Sequence, residues 1–327
     1  GMVYRLIERD ERIYPQGELA RRTIGQVGDK GNYGVEYVLR DVLEGRDGKA
    51  RRQRIARGFY GRVVGGDNSE PEEGLDVGTT LDLEMQDVAD RALRRQLEAQ
   101  NALWGTALVM EVATGDLLAM ANLSRTKSGA YAEVKNHALS SRMEPGSTFK
   151  LAALLALVDD AGMSLDETFD TGNGARVKVG RTTVQDSHGL PPLNLKDAVA
   201  HSSNVFFARA VYETYKDDPE RYVDYLRHLH LDRTVGLEEF GAVAPIFPAP
   251  GMKIWYPDVS IVNMGYGYAI ELTPLHTLTL YNAVANDGCM VAPRLVREIR
   301  RGGEVVERPE RRVLVDKICS SSALRKV

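Results

Sequence analysis

The run Glu144-Pro145-Gly146-Ser147-Thr148-Phe149-Lys150, followed at once by Leu151-Ala152-Ala153-Leu154-Leu155-Ala156-Leu157-Val158, decides how this chain is read. An apolar stretch of that length after a Pro-Gly break predicts a buried helix that begins near Ser147. Ser147 and Lys150 stand three apart, so they share one helix face. The break places Ser147 in the exposed first turn, where backbone N–H groups lack intrahelical acceptors and can receive a developing oxyanion, that of Ser147 among them. A serine hydroxyl needs a base to become a nucleophile. Lys150 can serve if burial and the positive helix end disfavour its ammonium form.

Ser-x-x-Lys is a short pattern, and a second copy occurs at Ser124-Arg125-Thr126-Lys127. No buried helix follows that copy, which reads as part of a polar, glycine-containing loop. For Ser147 the plain alternative is a helix N-cap with an exposed lysine.

Downstream, Ser202-Ser203-Asn204 sits between the apolar stretches 195–200 and 205–211. If this junction returns to the Ser147 helix, Ser202 can relay a proton to a leaving amine and Asn204 can fix a substrate amide. The competing reading is a cap between two helices, since Ser and Asn are common cap residues.

The remaining sequence sets bounds. In 327 residues with a formal net charge of -4, nothing suggests a nucleic-acid partner, and the basic run 49–57 reads as a solvated loop face. The longest apolar run is too short for a membrane span. Two cysteines, Cys289 and Cys319, form no framework and read as free thiols. The six histidines lack ligand spacing, His228 and His230 being two apart on an expected helix, so neither metal nor cofactor is expected. Gly1 before Met2 reads as a scar of tag removal, with the natural start missing.

Residues 1–74 are rich in Gly and charge, with alternating segments such as Gly34-Val35-Glu36-Tyr37-Val38 and Gly61-Arg62-Val63-Val64, and read as a strand-and-loop module. Residues 65–74 have linker composition. Beyond them, Asp82 reads as an N-cap, with Met85, Val88, Ala89, Ala92, Leu93 and Leu97 as the apolar face of a long helix. Strands 106–112 and 117–121 form a hairpin through Thr114-Gly115, and Thr273-Pro274 opens a helix closed by Gly288.

Together, the Ser147–Lys150 and Ser202–Asn204 pairs resemble the penicillin-binding protein transpeptidases, which carry Ser-x-x-Lys and Ser-x-Asn in this order. Arg12-Ile13-Tyr14-Pro15 and Gly31-Asn32-Tyr33-Gly34-Val35-Glu36 are similar to the non-catalytic pedestal of the monofunctional class B members. Glu144, with the run from Gly265-Tyr266-Gly267-Tyr268 to Leu272-Thr273-Pro274, looks most like the division-specific subgroup. The resemblance implies an α+β fold: a strand-and-loop pedestal over 1–74, then a serine β-lactamase/transpeptidase-like domain over 75–327, with an antiparallel sheet flanked by helices. It further implies Ser147, Lys150 and Ser202 as catalytic residues and Asn204 as substrate-binding. Peptidoglycan stem peptides would be the substrate, β-lactams the inhibitors, and division-complex membrane proteins the partners. The place implied is the bacterial envelope, on the periplasmic face of the inner membrane, with the membrane anchor absent from this chain.

One element of the family pattern is missing. Lys-Thr-Gly or Lys-Ser-Gly should follow Asn204, yet none of Lys216, Lys253, Lys317 and Lys326 begins such a triplet, and Lys127-Ser128-Gly129 precedes the nucleophile. An apparent helix beginning near Asp316 runs to the last residue, where family members continue into the strands that bear the third motif. The resemblance thus implies a domain incomplete at its C-terminal end, acylating poorly or not at all and exposing a sheet edge. Two alternatives stay open: a non-catalytic division scaffold, and a β-lactamase or β-lactam sensor.

Overall fold

The computed structural model describes residues 12–29, 31–49, 52–56, 59–62 and 69–327. Residues 63–68 of the expected strand and linker, residues 50, 51 and 57 of the basic run, and the Gly1-Met2 scar lie outside these.

The helix Leu83–Ala99 starts where Asp82 caps it, the carboxylate accepting the Met85 N–H at 2.9 Å. It packs on the hairpin strand Leu117–Arg125 through Gln86, Ala89, Leu93 and Leu97. The sequence reading put Met85, Val88 and Ala92 on that face, but all three are exposed. Gln86 replaces them because its Oε1 accepts the Met120 N–H at 2.7 Å, which rotates the apolar stripe partly toward solvent.

The hairpin itself runs Trp104–Met110 to Leu117–Arg125, in register from Trp104 opposite Ser124 to Met110 opposite Leu117. Gly115 turns it at φ 77°, where a Cβ would run into the Ala292 carbonyl. Tyr131–Ala132 adds a third strand next to Leu117–Arg125, so that Trp104–Met110 and Tyr131–Ala132 are the two edges of this sheet among the described residues. A second three-stranded sheet joins Asp76–Thr79 to Val296–Arg301 and Glu304–Glu307. The pairing is antiparallel in both sheets, and helices flank them. The two sheets meet where the Leu117 N–H reaches the Arg294 carbonyl and the Arg294 guanidinium grips the buried Asp116 carboxylate at 2.6 Å.

The main core is helical. The segments Lys150–Leu155 and Ala156–Asp160 run as one buried rod against Asn204–Tyr215, with Pro219–His228, Ser260–Met264 and Pro274–Ala285 around them. Phe149, Leu155, Phe206, Phe207, Tyr215 and Tyr222 are fully enclosed there. Truncating a buried phenylalanine such as Phe206 to alanine costs about 3–5 kcal/mol in settings of this kind. The catalytic candidates are therefore mounted on the main buried core.

Several sequence expectations are corrected. Gly34–Val38 is a helix, not a strand: five residues are too few to separate a period of 2 from one of 3.6, and burial of Val35 with the Leu39 N–H bonded to the Val35 carbonyl settles it. Ser124 and Arg125 end a strand; only the residues after them form the loop. The segment after Asp316 is not one helix; Val313–Val315 is a strand and a single helical turn, Ser321–Leu324, begins at the Ser320 cap. His230 lies past the Pro219–His228 helix at φ 61° and bonds to the Thr234 carbonyl, where it cannot pair with His228 as a helix neighbour.

Around the N-terminal segment, Arg12 bonds the Glu36 carboxylate at 2.5 Å, joining the two stretches that carried the pedestal resemblance. The Arg22 N–H donates to Glu133 at 2.7 Å and ties this segment to the hairpin region.

Candidate active site

Gly146–Phe149 forms one 3-10 turn that continues into the Lys150–Leu155 helix. Gly146 takes φ 55°, a conformation that glycine adopts without penalty, and this presents Ser147 to solvent while Phe149 is driven into the core. The loop at Gly267–Ala269 and the helix Pro274–Ala285 clamp the turn from outside. The Gly146 N–H donates to the Gly267 carbonyl at 2.9 Å, the Ala269 N–H to Glu144 Oε1 at 3.0 Å, and the Tyr281 hydroxyl to the Thr148 carbonyl at 3.1 Å. Glu144 and the run from Gly265 to Pro274, noted together in the sequence for the division-specific resemblance, thus touch beside Ser147.

Lys150 follows, with only 6% of its surface exposed. Its Nζ lies 3.0 Å from Ser147 Oγ, 3.0 Å from Ser202 Oγ, 2.7 Å from the Ser202 carbonyl and 2.7 Å from Asn204 Oδ1. The other three residues singled out in the sequence, Ser147, Ser202 and Asn204, therefore converge on the Lys150 nitrogen. The two shorter contacts are to a carbonyl and an amide oxygen, which can only accept; the two longer ones are to hydroxyls, which can also donate. A neutral amine has two N–H groups and one lone pair, and this arrangement satisfies both N–H groups while leaving the lone pair to a serine hydroxyl. Burial pushes the Lys150 pKa down to about 8, with the charge of Asp186 opposing the shift.

The Ser202-Ser203-Asn204 junction serves as a cap and also faces Lys150. The helix Leu195–Ala200 ends with Ser203 N–H bonded to the Ala198 carbonyl and Ser202 N–H to the Val199 carbonyl, a Schellman pattern. The left-handed residue of that pattern is Ser202 at φ 52°, where glycine is the usual occupant. A non-glycine residue there costs about 1–3 kcal/mol, and both Ser202 oxygens are turned onto Lys150 as a result. Ser203 caps the next helix, its Oγ accepting the Phe206 N–H at 3.0 Å.

Sequence reasoning missed Asp186. Its buried carboxylate accepts from Ser203 Oγ at 2.8 Å, from the Asn204 N–H at 2.5 Å and from the Val205 N–H at 3.2 Å. It lies just after the strand Thr182–Val184, and nothing in its local sequence marks it.

The second Ser-x-x-Lys copy has a different setting. Ser124 Oγ pairs with His137 Nε2 at 2.7 Å, and the His137 ring is stacked on Trp104. Burial and the nearby Lys135 hold His137 neutral, its pKa lowered to about 4. The Lys127-Ser128-Gly129 triplet is an exposed turn closed by Thr126 and Ala130. Among the described residues no group of three or more His, Cys, Asp and Glu could hold a metal ion, and no helix is long and apolar enough to cross a membrane.

Residues 105–327 match the penicillin binding protein transpeptidase domain. The chain belongs to that family. This penicillin-binding protein chain is 30% identical over 306 residues to the penicillin-binding protein PbpB of Mycobacterium tuberculosis, covering 88% of this chain and 43% of that protein. It is 27% identical over 326 residues to the probable peptidoglycan D,D-transpeptidase FtsI of Caulobacter vibrioides, covering 97% and 49%. Penicillin binding protein 3 of Mycobacterium tuberculosis, solved in complex with aztreonam, superposes with a TM-score of 0.77 at 26% identity, covering 97% of this chain and 67% of that one. The class B, division-type reading and the serine β-lactamase/transpeptidase-like fold, a mixed arrangement of helices and sheet, are borne out by these relatives. The chain spans about half the length of the curated relatives it matches.

Proposed function

We propose that this chain carries the acylating centre of a peptidoglycan D,D-transpeptidase, with Ser147 as nucleophile. The observation that carries the reading is the convergence of Ser147, Ser202 and Asn204 on the buried Lys150 Nζ. Neutral Lys150 takes the proton from Ser147 Oγ as that oxygen bonds to the carbonyl between the two terminal D-alanines of a stem peptide. The Ser147 backbone N–H faces the developing oxyanion. Collapse breaks the peptide C–N bond, and the proton passes from Lys150 through the Ser202 hydroxyl to the departing D-alanine nitrogen. An ester on Ser147 remains. The amine of a neighbouring stem attacks that ester, giving its proton back through Ser202 and Lys150 and freeing the serine. Asn204, its Oδ1 committed to Lys150, offers its N–H groups to a substrate carbonyl.

A β-lactam closes on the same path, because opening its ring leaves the same Ser147 ester with no leaving group to depart. Residues 1–74 act in this reading as the pedestal and 75–327 as the transpeptidase domain. The place of action is the outer side of the bacterial inner membrane, beside membrane proteins of the division complex.

The test is a transfer assay: a pentapeptide stem ending in D-Ala-D-Ala, an acceptor amine, and mass detection of D-alanine release and cross-linked product. It is run on this chain and on one extended through a Lys-Thr-Gly strand, since that motif does not follow Asn204 here. The extended chain should form product and its Ser147→Ala variant none. A folded extended chain that releases no D-alanine overturns the reading in favour of a scaffold, and rapid hydrolysis of penicillin in its place favours a β-lactamase.

A further inference from the structure

The carboxylate of Asp186 sits where three donors from the start of one helix meet. Ser203 Oγ reaches Oδ2 at 2.8 Å, while the N–H groups of Asn204 and Val205 reach Oδ1 at 2.5 Å and 3.2 Å. These are the residues immediately after Ser202, which is held in the left-handed region with its hydroxyl and carbonyl on Lys150. The Schellman bonds from Ser202 and Ser203 to Val199 and Ala198 close that conformation, and a serine relaxes out of it where neighbouring contacts allow. The contacts that fix the residues after it, Ser203, Asn204 and Val205, all end on Asp186. The negative charge also suits the N-terminus of the twelve-residue helix Asn204–Tyr215.

We propose that Asp186 is a positioning residue of the serine–lysine centre: it anchors Ser203 and Asn204 so that Ser202 and Asn204 stay turned onto Lys150. This role rests on the transpeptidase reading, in which Lys150 is the base for Ser147. Asp186 touches no reacting atom in this account. It acts through geometry on Ser202 and Asn204, and through charge on Lys150, whose ammonium it favours against the effect of burial. Lys150 is otherwise surrounded by uncharged partners: the two serine hydroxyls, the Ser202 carbonyl, the Asn204 amide and the Phe207 ring, 5.9 Å away.

Two variants separate geometry from charge. Asp186→Asn keeps an acceptor for the backbone N–H groups and loses the charge; Asp186→Ala loses both. Lys150 is followed by NMR titration of its Cε–Nζ signals, and acylation by stopped-flow with ampicillin on the chain extended through a Lys-Thr-Gly strand, with circular dichroism confirming the fold. In Asp186→Asn the Lys150 midpoint should fall by about one unit. In Asp186→Ala the acylation rate constant should drop roughly 100-fold with the prior binding constant little changed, and Asp186→Asn should recover part of it. A Lys150 midpoint unmoved in Asp186→Asn overturns the proposal even if Asp186→Ala fails to fold. A folded Asp186→Ala acylating at the parental rate also overturns it. If the parent is never acylated while the Lys150 midpoint still moves, the transpeptidase reading falls and the coupling of Asp186 to Lys150 stands.

Discussion

Asn204 Oδ1 lies 2.7 Å from Lys150 Nζ, an acceptor held against a nitrogen that must lose a proton to work. An amide tolerates the neutral amine. A carboxylate in its place would hold the ammonium, so Asn204→Asp should move the acid limb of the acylation profile upward by about 1–3 pH units. Acylation near neutrality should fall by a corresponding factor of roughly 10 to 1,000. Rates of ampicillin acylation across pH check this.

With Asn204 in place, on the chain extended through a Lys-Thr-Gly strand, the sign of the pH dependence follows from burial. Lys150 is pushed down to about 8, so the ammonium predominates below that pH and the neutral amine above it. Acylation should therefore rise with pH through about 8 and then level. A rate constant flat between about pH 6 and about pH 9 would remove Lys150 from the role of base.

Gly267 supports the Ser147 turn at φ 92°, and a Cβ there would run into the Gly146 carbonyl. Gly267→Ala combines a left-handed strain with a backbone clash and should cost about 2–4 kcal/mol. Because the clash falls one residue before the nucleophile, acylation should decline more than the melting temperature suggests. Gly129→Ala, a positive-φ glycine with open space around it in the distant Thr126–Ala130 turn, serves as the control.

Glu133 offers a separate pH signature in stability. Burial pushes its pKa up to about 7, against the lowering effect of the Arg22 and Asn122 N–H groups and of Arg94, with Asp90 adding to the rise. A raised acid pKa means the folded state holds the proton longer than the unfolded one. Its contribution is fully present below the ordinary carboxylate range and is lost as pH rises through about 7. The melting temperature should fall by roughly 2–4 °C over that window, and Glu133→Gln should abolish that part of the fall. Melts of both proteins from pH 5 upward, at constant ionic strength, measure it.

The legible parts of the site share a local cause. Ser147 and Lys150 could be paired from sequence because one helix turn connects them and an apolar run marks that helix as buried. The Ser202–Asn204 element stood out through its order and its apolar flanks. Asp186 did not, because it reaches Ser203, Asn204 and Val205 across a loop whose path depends on the packed hairpin Val177–Val184. The same limit hid the clamp from Gly267 to Gly146. In the fold, the errors fell on short segments. Gly34–Val38 and the region after Asp316 are too brief for periodicity to discriminate, and in Leu83–Ala99 a buried Gln86 outcompeted the apolar stripe by bonding the Met120 N–H.

The most direct measurement is intact-protein mass spectrometry after incubation with ampicillin, with tryptic mapping, on the chain extended through a Lys-Thr-Gly strand and on its Ser147→Ala and Lys150→Ala variants. One adduct on the peptide containing Ser147, absent from Ser147→Ala and slowed at least about 1,000-fold in Lys150→Ala, is the predicted result. An adduct elsewhere, or none on a folded protein, would contradict the account.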